Sequence, residues 1–230
     1  MRRRLGIATS FEGPDTHGHS SLTTNAAGRL NARHTCWNVA WRQVFSEAGS
    51  QVPDRNWERM LSRTHIRVPP GDTRRLDLVV PGLSVAHGLP LFCDATCVFP
   101  IGVNGLARSG ATNVDGGIVE RAARDNDRTY REVTSSGLAR LCCLGVEVYG
   151  RWSADVLELV PAMAWASADG LPQRVRAGTA LALQRRWFGI LGVAVQRALA
   201  RGVLTQFGAD LPESFAEHPP EVADLPASGN

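Results

Sequence analysis

Two aspartates stand inside otherwise apolar runs. Asp77 lies in Arg74-Arg75-Leu76-Asp77-Leu78-Val79-Val80, and Asp94 in Leu91-Phe92-Cys93-Asp94-Ala95-Thr96. Taking an unpaired carboxylate out of water costs several kcal/mol, so each acid needs a partner or a task. If the two runs are neighbouring antiparallel strands, both acids can converge on one spot. They could then hold a divalent cation, because Mg²⁺ is usually bound by one or two carboxylates together with substrate phosphate oxygens. The alternative is structural, with Asp77 paired to Arg74 or Arg75 and Asp94 capping a turn. The sequence leaves both open.

The remaining chemistry-bearing residues narrow the field by what they lack. All 25 basic residues are arginine, so no mechanism that needs a lysine amine can run, and a guanidinium is never a proton acceptor near neutral pH. Five cysteines, Cys36, Cys93, Cys97, Cys142 and Cys143, sit in apolar surroundings without a disulfide framework. They read as small buried side chains in a protein of a reducing, intracellular compartment. His17 and His19, even joined by His34, fall short of the four N or S ligands of a structural zinc site, so no zinc is expected. Gly102, Gly105 and Gly110 make no phosphate loop, since no Lys-Ser or Lys-Thr follows. Arg121, Arg124, Arg128 and Arg131 recur at helical spacing and form a stripe that could follow a phosphate backbone. The same stripe could instead pair with Glu120, Asp125, Asp127 and Glu132. Six tryptophans read mainly as core, with Trp37, Trp41, Trp152 and Trp187 on apolar faces.

These groups need elements to position them. Residues 1–32, rich in Gly, Ser, Thr and Asn, suggest irregular structure. Trp37, Trp41, Val44, Phe45 and Ala48 line one face of a helix over 33–49. Runs at 64–68, 74–80 and 89–99, each closed by Pro or Gly, suit strands. A Gly-rich loop over 102–117 leads to a charged helix over 118–133 and an apolar strand over 141–148. Ser153 is placed to cap a helix over 152–168, and a longer helix over 173–206 is apolar enough to be largely covered. The Pro-rich residues 208–230 bury too little to order. No run approaches the roughly 18 apolar residues of a membrane span. Arg2, Arg3 and Arg4 are at most a weak nuclear or nucleic-acid cue.

Helix, strand, strand, strand, helix, strand is the order of a restriction-endonuclease-like core, and of many other α/β domains as well. The stretch from His34 to Val98 resembles the endonuclease region of site-specific non-LTR retrotransposons, which follows a CCHC zinc motif and the reverse transcriptase. The residues carrying this are Arg33-His34, His65-Ile66-Arg67, Arg74-Arg75-Leu76-Asp77-Leu78-Val79, Phe92-Cys93-Asp94-Ala95-Thr96 and Asp127-Arg128-Thr129-Tyr130. Nearly the whole chain is similar to reverse-transcriptase-like sequences repeated in protist genomes, through Arg75-Leu76-Asp77, Gly88-Leu89-Pro90-Leu91-Phe92-Cys93-Asp94 and Glu147-Val148-Tyr149-Gly150-Arg151-Trp152.

The resemblance implies an α/β fold with a PD-(D/E)XK-type core and mixed sheet over 33–150, a helical extension over 151–207 packed on it, and a degenerate zinc-motif region over 1–32. It implies Mg²⁺ ligands at Asp77, Asp94 and the carbonyl of Ala95, with DNA as partner and no small-molecule cofactor. The family also uses a lysine beside the scissile phosphate. Its places hold Thr96 and, on the following helix, Asn126, Arg128 and Thr129, with Arg128 able to supply charge only. The expectation is a detached and degenerate metal-dependent DNA endonuclease domain, with a non-catalytic nucleic-acid- or protein-binding module as the alternative. Without the polymerase palm, this chain does not polymerise.

Overall fold

The computed structural model describes residues 29–52, 58–102 and 104–206. His17, His19, most of the expected irregular N-terminal segment and the 208–230 tail lie outside them. The protein is mixed α/β. Helix α1 (Arg29–Glu47) precedes the short strands β1 (Arg59–Met60), β2 (Arg75–Leu76) and β3 (Leu78–Val80), then β4 (Leu91–Val98). Helices α2 (Gly117–Thr129) and α3 (Arg131–Ser136), strand β5 (Arg140–Glu147) and helices α4 (Ala154–Ala168) and α5 (Gln173–Gln206) complete it. No helix is long and apolar enough to cross a membrane among the described residues.

The main sheet runs β3-β4-β5, antiparallel between β3 and β4 and parallel between β4 and β5. Alternation along each strand loads its two faces differently. Leu78, Val80, Leu91, Cys93, Ala95, Cys142, Leu144 and Val146 join Trp37, Trp41 and Phe45 of α1 and the inner faces of α4 and α5 in the larger core. Phe92, Val79 and Leu141 meet Tyr130 and Val133, on the side of α2 and α3, in a smaller one. The helices after residue 150 therefore complete the main core rather than cover a finished one.

Four sequence expectations need correction. The first helix starts at Arg29, inside the stretch assigned to irregular structure. Residues 64–68 form no strand; a 3₁₀ turn over Leu61–Arg63 precedes them, and the Thr64 hydroxyl donates to the Leu61 carbonyl and accepts from the Ile66 N–H. Such local side-chain bonds compete with a ladder. The charged helix is two helices broken at Tyr130, whose φ of −113° leaves the helical range. Finally, α5 buries Trp187, Ile190, Leu191 and Val195 but exposes Val175, Leu181 and Val193. Val193 lies two residues, about 200° of turn, from both Leu191 and Val195, so apolar residues also stand on the side of α5 turned away from the core.

The feature that positions the acids is a break in alternation. Leu76 and Leu78 are two apart, which in a regular strand means the same face, yet Leu76 enters the smaller core and Leu78 the larger. Between them, Asp77 is an extra residue. Cys93 is the register partner of Leu78, and its carbonyl also accepts the Asp77 N–H at 3.1 Å. Two residues thus oppose one, which is a β-bulge. Beyond it the chain leaves the main sheet, and β2 pairs with β1 instead. The half of β4 from Asp94 onward keeps β5 on one side and opens a notch on the other.

Candidate functional site

Asp77 sits in that notch. Its Oδ2 accepts the Ala95 N–H at 2.6 Å, standing in for the strand neighbour that β4 loses when β3 peels away. Its Oδ1 lies 2.9 Å from His34 Nε2, which α1 delivers from the larger-core side. Donating that hydrogen bond to Asp77 raises the His34 pKa above the ordinary imidazole value, against the opposing effect of burial. Asn38, one turn on, donates to His34 Nδ1 at 3.3 Å. The buried Asn38 Oδ1 has no partner among the described residues, and half a turn of the amide would aim that oxygen at the Nδ1–H of an imidazolium.

Asp94 projects from β4 toward α2. Its Oδ2 accepts from Asn126 Nδ2 at 2.7 Å and from Thr96 Oγ1 at 3.1 Å. Burial pushes its pKa up and the charge of Asp77 adds to the rise, while the hydrogen bonds from Asn126 and Thr96 and the charge of His34 oppose it. The two carboxylates therefore share one electrostatic environment. Tyr130, at the helix break, feels both acids: burial, then Asp94 and Asp77, raise its pKa, and its hydroxyl donates to the Arg75 carbonyl. Cys143 is the register partner of Asp94, and burial together with the Asp94 charge pushes its thiol up to about 12. A thiol so protonated is neither nucleophile nor ready metal ligand at neutral pH.

The arginine clasp considered for Asp77 does not form. Arg74 is held by Asp72, by Glu132 at 2.9 Å and by the Thr129 carbonyl, and Arg75 reaches Glu58 at 3.5 Å. Thr96, at one of the positions where the resemblance calls for a lysine, donates to Asp94. Ala95 faces the notch through its N–H, and because a strand residue's N–H and C=O point the same way, its carbonyl does too. Arg128 is not at the site. It is exposed and pairs with Asp125 at 3.1 Å, since two residues of helix after Asn126 turn it through about 200°.

Arg121 and Arg124 are exposed on α2, but the break at Tyr130 puts Arg131 on a separate helix, so the stripe is interrupted. Of the acids considered as partners for that stripe, Glu120 accepts from the Ala154 N–H and Glu132 holds Arg74. Spacing did not reveal His34, Asn126 or Cys143 as site residues. In the sequence His34 offers only an incomplete zinc set and part of the Arg33-His34 resemblance, and Asn126 only a vacant lysine position.

Among the described residues no group of three or more His, Cys, Asp or Glu side chains is arranged to hold a metal ion. A cation here would rely on the two carboxylates, the Ala95 carbonyl and oxygens of a ligand. That is a donor set of hard oxygens, which suits Mg²⁺ or Mn²⁺. Asp77 and Asp94 fit it, because each carboxylate has about four acceptor positions and each accepts two hydrogen bonds from described residues. No protein-family model, curated protein or solved structure matches the chain.

Proposed function

We propose that this chain is a degenerate, restriction-endonuclease-like domain derived from a non-LTR retrotransposon reverse-transcriptase protein, engaging DNA through a divalent cation at Asp77 and Asp94. One observation carries the reading. A bulge turns Asp77 into a notch beside Asp94, and its charge helps raise the Asp94 pKa, a costly juxtaposition that a bound cation would relieve. When bound, Mg²⁺ would polarise a phosphate and an attacking water. The chain's own residues do the rest. Asp77 and Asp94 supply negative oxygens, with the Ala95 carbonyl as third donor, and Thr96 and Asn126 hold Asp94 in place. Arg121 and Arg124 on the exposed side of α2 contribute sequence-independent phosphate contacts. Without a cation His34 pairs with Asp77 Oδ1; the lysine that the resemblance calls for has no counterpart in the sequence, which makes the domain degenerate.

A second reading has its own support. Asp77 is already satisfied by His34 and the Ala95 N–H, which suits a module that keeps the fold without catalysis. Nicking of supercoiled plasmid in Mg²⁺ or Mn²⁺, compared between the wild type and Asp94→Asn, separates the two. Nicking lost in the variant supports the nuclease reading. Nicking equal in both is contamination, and absence of nicking together with DNA retention unaffected by chelator favours the non-catalytic module.

A further inference from the structure

We infer that Asn126 is the positioning residue of the site, orienting Asp94 so that its Oδ1 faces an incoming cation; this rests on the reading proposed above. Val119 and Asn126 fall on one face of α2 at helical spacing, the face turned to the sheet, and Tyr130 follows at the break. Val119 and Tyr130 are buried. An apolar side chain is the norm in such a position, yet the sequence places an amide there, and the amide reaches Asp94 at 2.7 Å.

The helix cannot drift away from the strand it serves. A Cβ on Gly145 of β5 would lie 2.6 Å from Val119 Cγ2, so α2 is pressed against the sheet two turns before Asn126. At its other end the Asn126 carbonyl accepts the Tyr130 N–H at 2.8 Å, which closes the last turn before the break. Both hydrogen bonds that Asp94 receives from described residues, from Asn126 and from Thr96, fall on Oδ2. They fix the carboxylate's rotation and leave Oδ1 for another donor. A carboxylate ligand held this way by an outer partner depends on that partner, and losing it typically costs about 10–100-fold in metal affinity.

Calorimetric titration of Mn²⁺ into the full chain tests this with the wild type, Asn126→Ala and Asn126→Leu, each melted beforehand in EDTA. Asn126→Leu preserves packing on the buried face and removes only the amide, so a merely structural role predicts unchanged Mn²⁺ affinity for it. The inference predicts affinity weakened by about 10–100-fold in both variants, with the EDTA melting temperature of Asn126→Leu at or above that of Asn126→Ala. Wild-type affinity retained by Asn126→Leu overturns the positioning role alone. Absence of Mn²⁺ binding by the wild type overturns the cation reading, and this inference with it.

Discussion

Replacing His34 with Ala probes the ion pair that neutralises Asp77. A hydrogen bond to a charged group contributes about 1.5–3 kcal/mol. His34 leaves 35% of its side chain exposed while Asp77 leaves 13%. Water therefore screens the pair, and about 1–1.5 kcal/mol is the fitting figure. In a chain of 230 residues, each kcal/mol moves the melting temperature by about 2–4 °C, so His34→Ala should melt about 2–6 °C below the wild type at pH 6 in EDTA.

The sign of the pH dependence follows from the raised His34 pKa. The folded value lies above the unfolded 6.5, so the contribution is fully present below about pH 6.5 and fades as pH climbs through the folded value. By pH 9 the gap between variant and wild type should have narrowed. Asp94 and Asp155, both raised by burial, also lose stabilising protons as pH rises. The Asp155 loss is common to both proteins and cancels in the difference, and the Asp94 loss differs between them only through the His34 charge, the smallest of the causes given for it. Equal gaps in melting temperature at pH 6 and pH 9 would refute the argument, because the pair would then carry no charge.

Other expectations follow from the same structure. Asp94→Asn removes a carboxylate whose charged form is disfavoured by burial and by Asp77, so in EDTA it should melt at or above the wild-type temperature while losing any stabilisation by Mn²⁺; a large drop in EDTA would make Asp94 structural. Gly145→Ala would put a methyl group 2.6 Å from Val119 Cγ2 and 3.1 Å from Ser153 Cβ, and overpacking of this kind costs about 1–3 kcal/mol, readable by urea unfolding. Glu47→Ala takes the acceptor from the buried Trp187 indole, 2.9 Å away, and from Arg186. An unpaired buried donor costs about 1–3 kcal/mol, so the melting temperature should fall without any change at the Asp77–Asp94 notch.

Much of the architecture was legible in local pattern. The long apolar helix over 173–206 is found at those bounds, and Ser153 caps α4 by accepting the Val156 N–H. The strands that flank Asp77 and carry Asp94 follow from their length and punctuation, while their antiparallel pairing, a condition in the sequence, is found between β3 and β4. What could not be read are the features set by tertiary contact. The bulge at Asp77 is visible only when Leu76 and Leu78 are seen entering different cores.

The site itself shows the same division. The two aspartates stood out because a charge in an apolar run is locally anomalous. His34 meets Asp77 across 43 residues of chain, and Asn126 meets Asp94 across 32, so neither pairing leaves a trace in spacing. Arg128 was misplaced for a simpler reason: it lies next to the right turn of helix but on the wrong side of it.

The most direct test of the central claim is diffraction from Mn²⁺-soaked crystals, with anomalous data collected at the manganese absorption edge. The account predicts a single peak in the notch, within about 2.0–2.3 Å of one carboxylate oxygen from each of Asp77 and Asp94, with His34 turned away from Oδ1. Crystals diffracting well with no peak there, and with His34 still bound to Asp77, would contradict it.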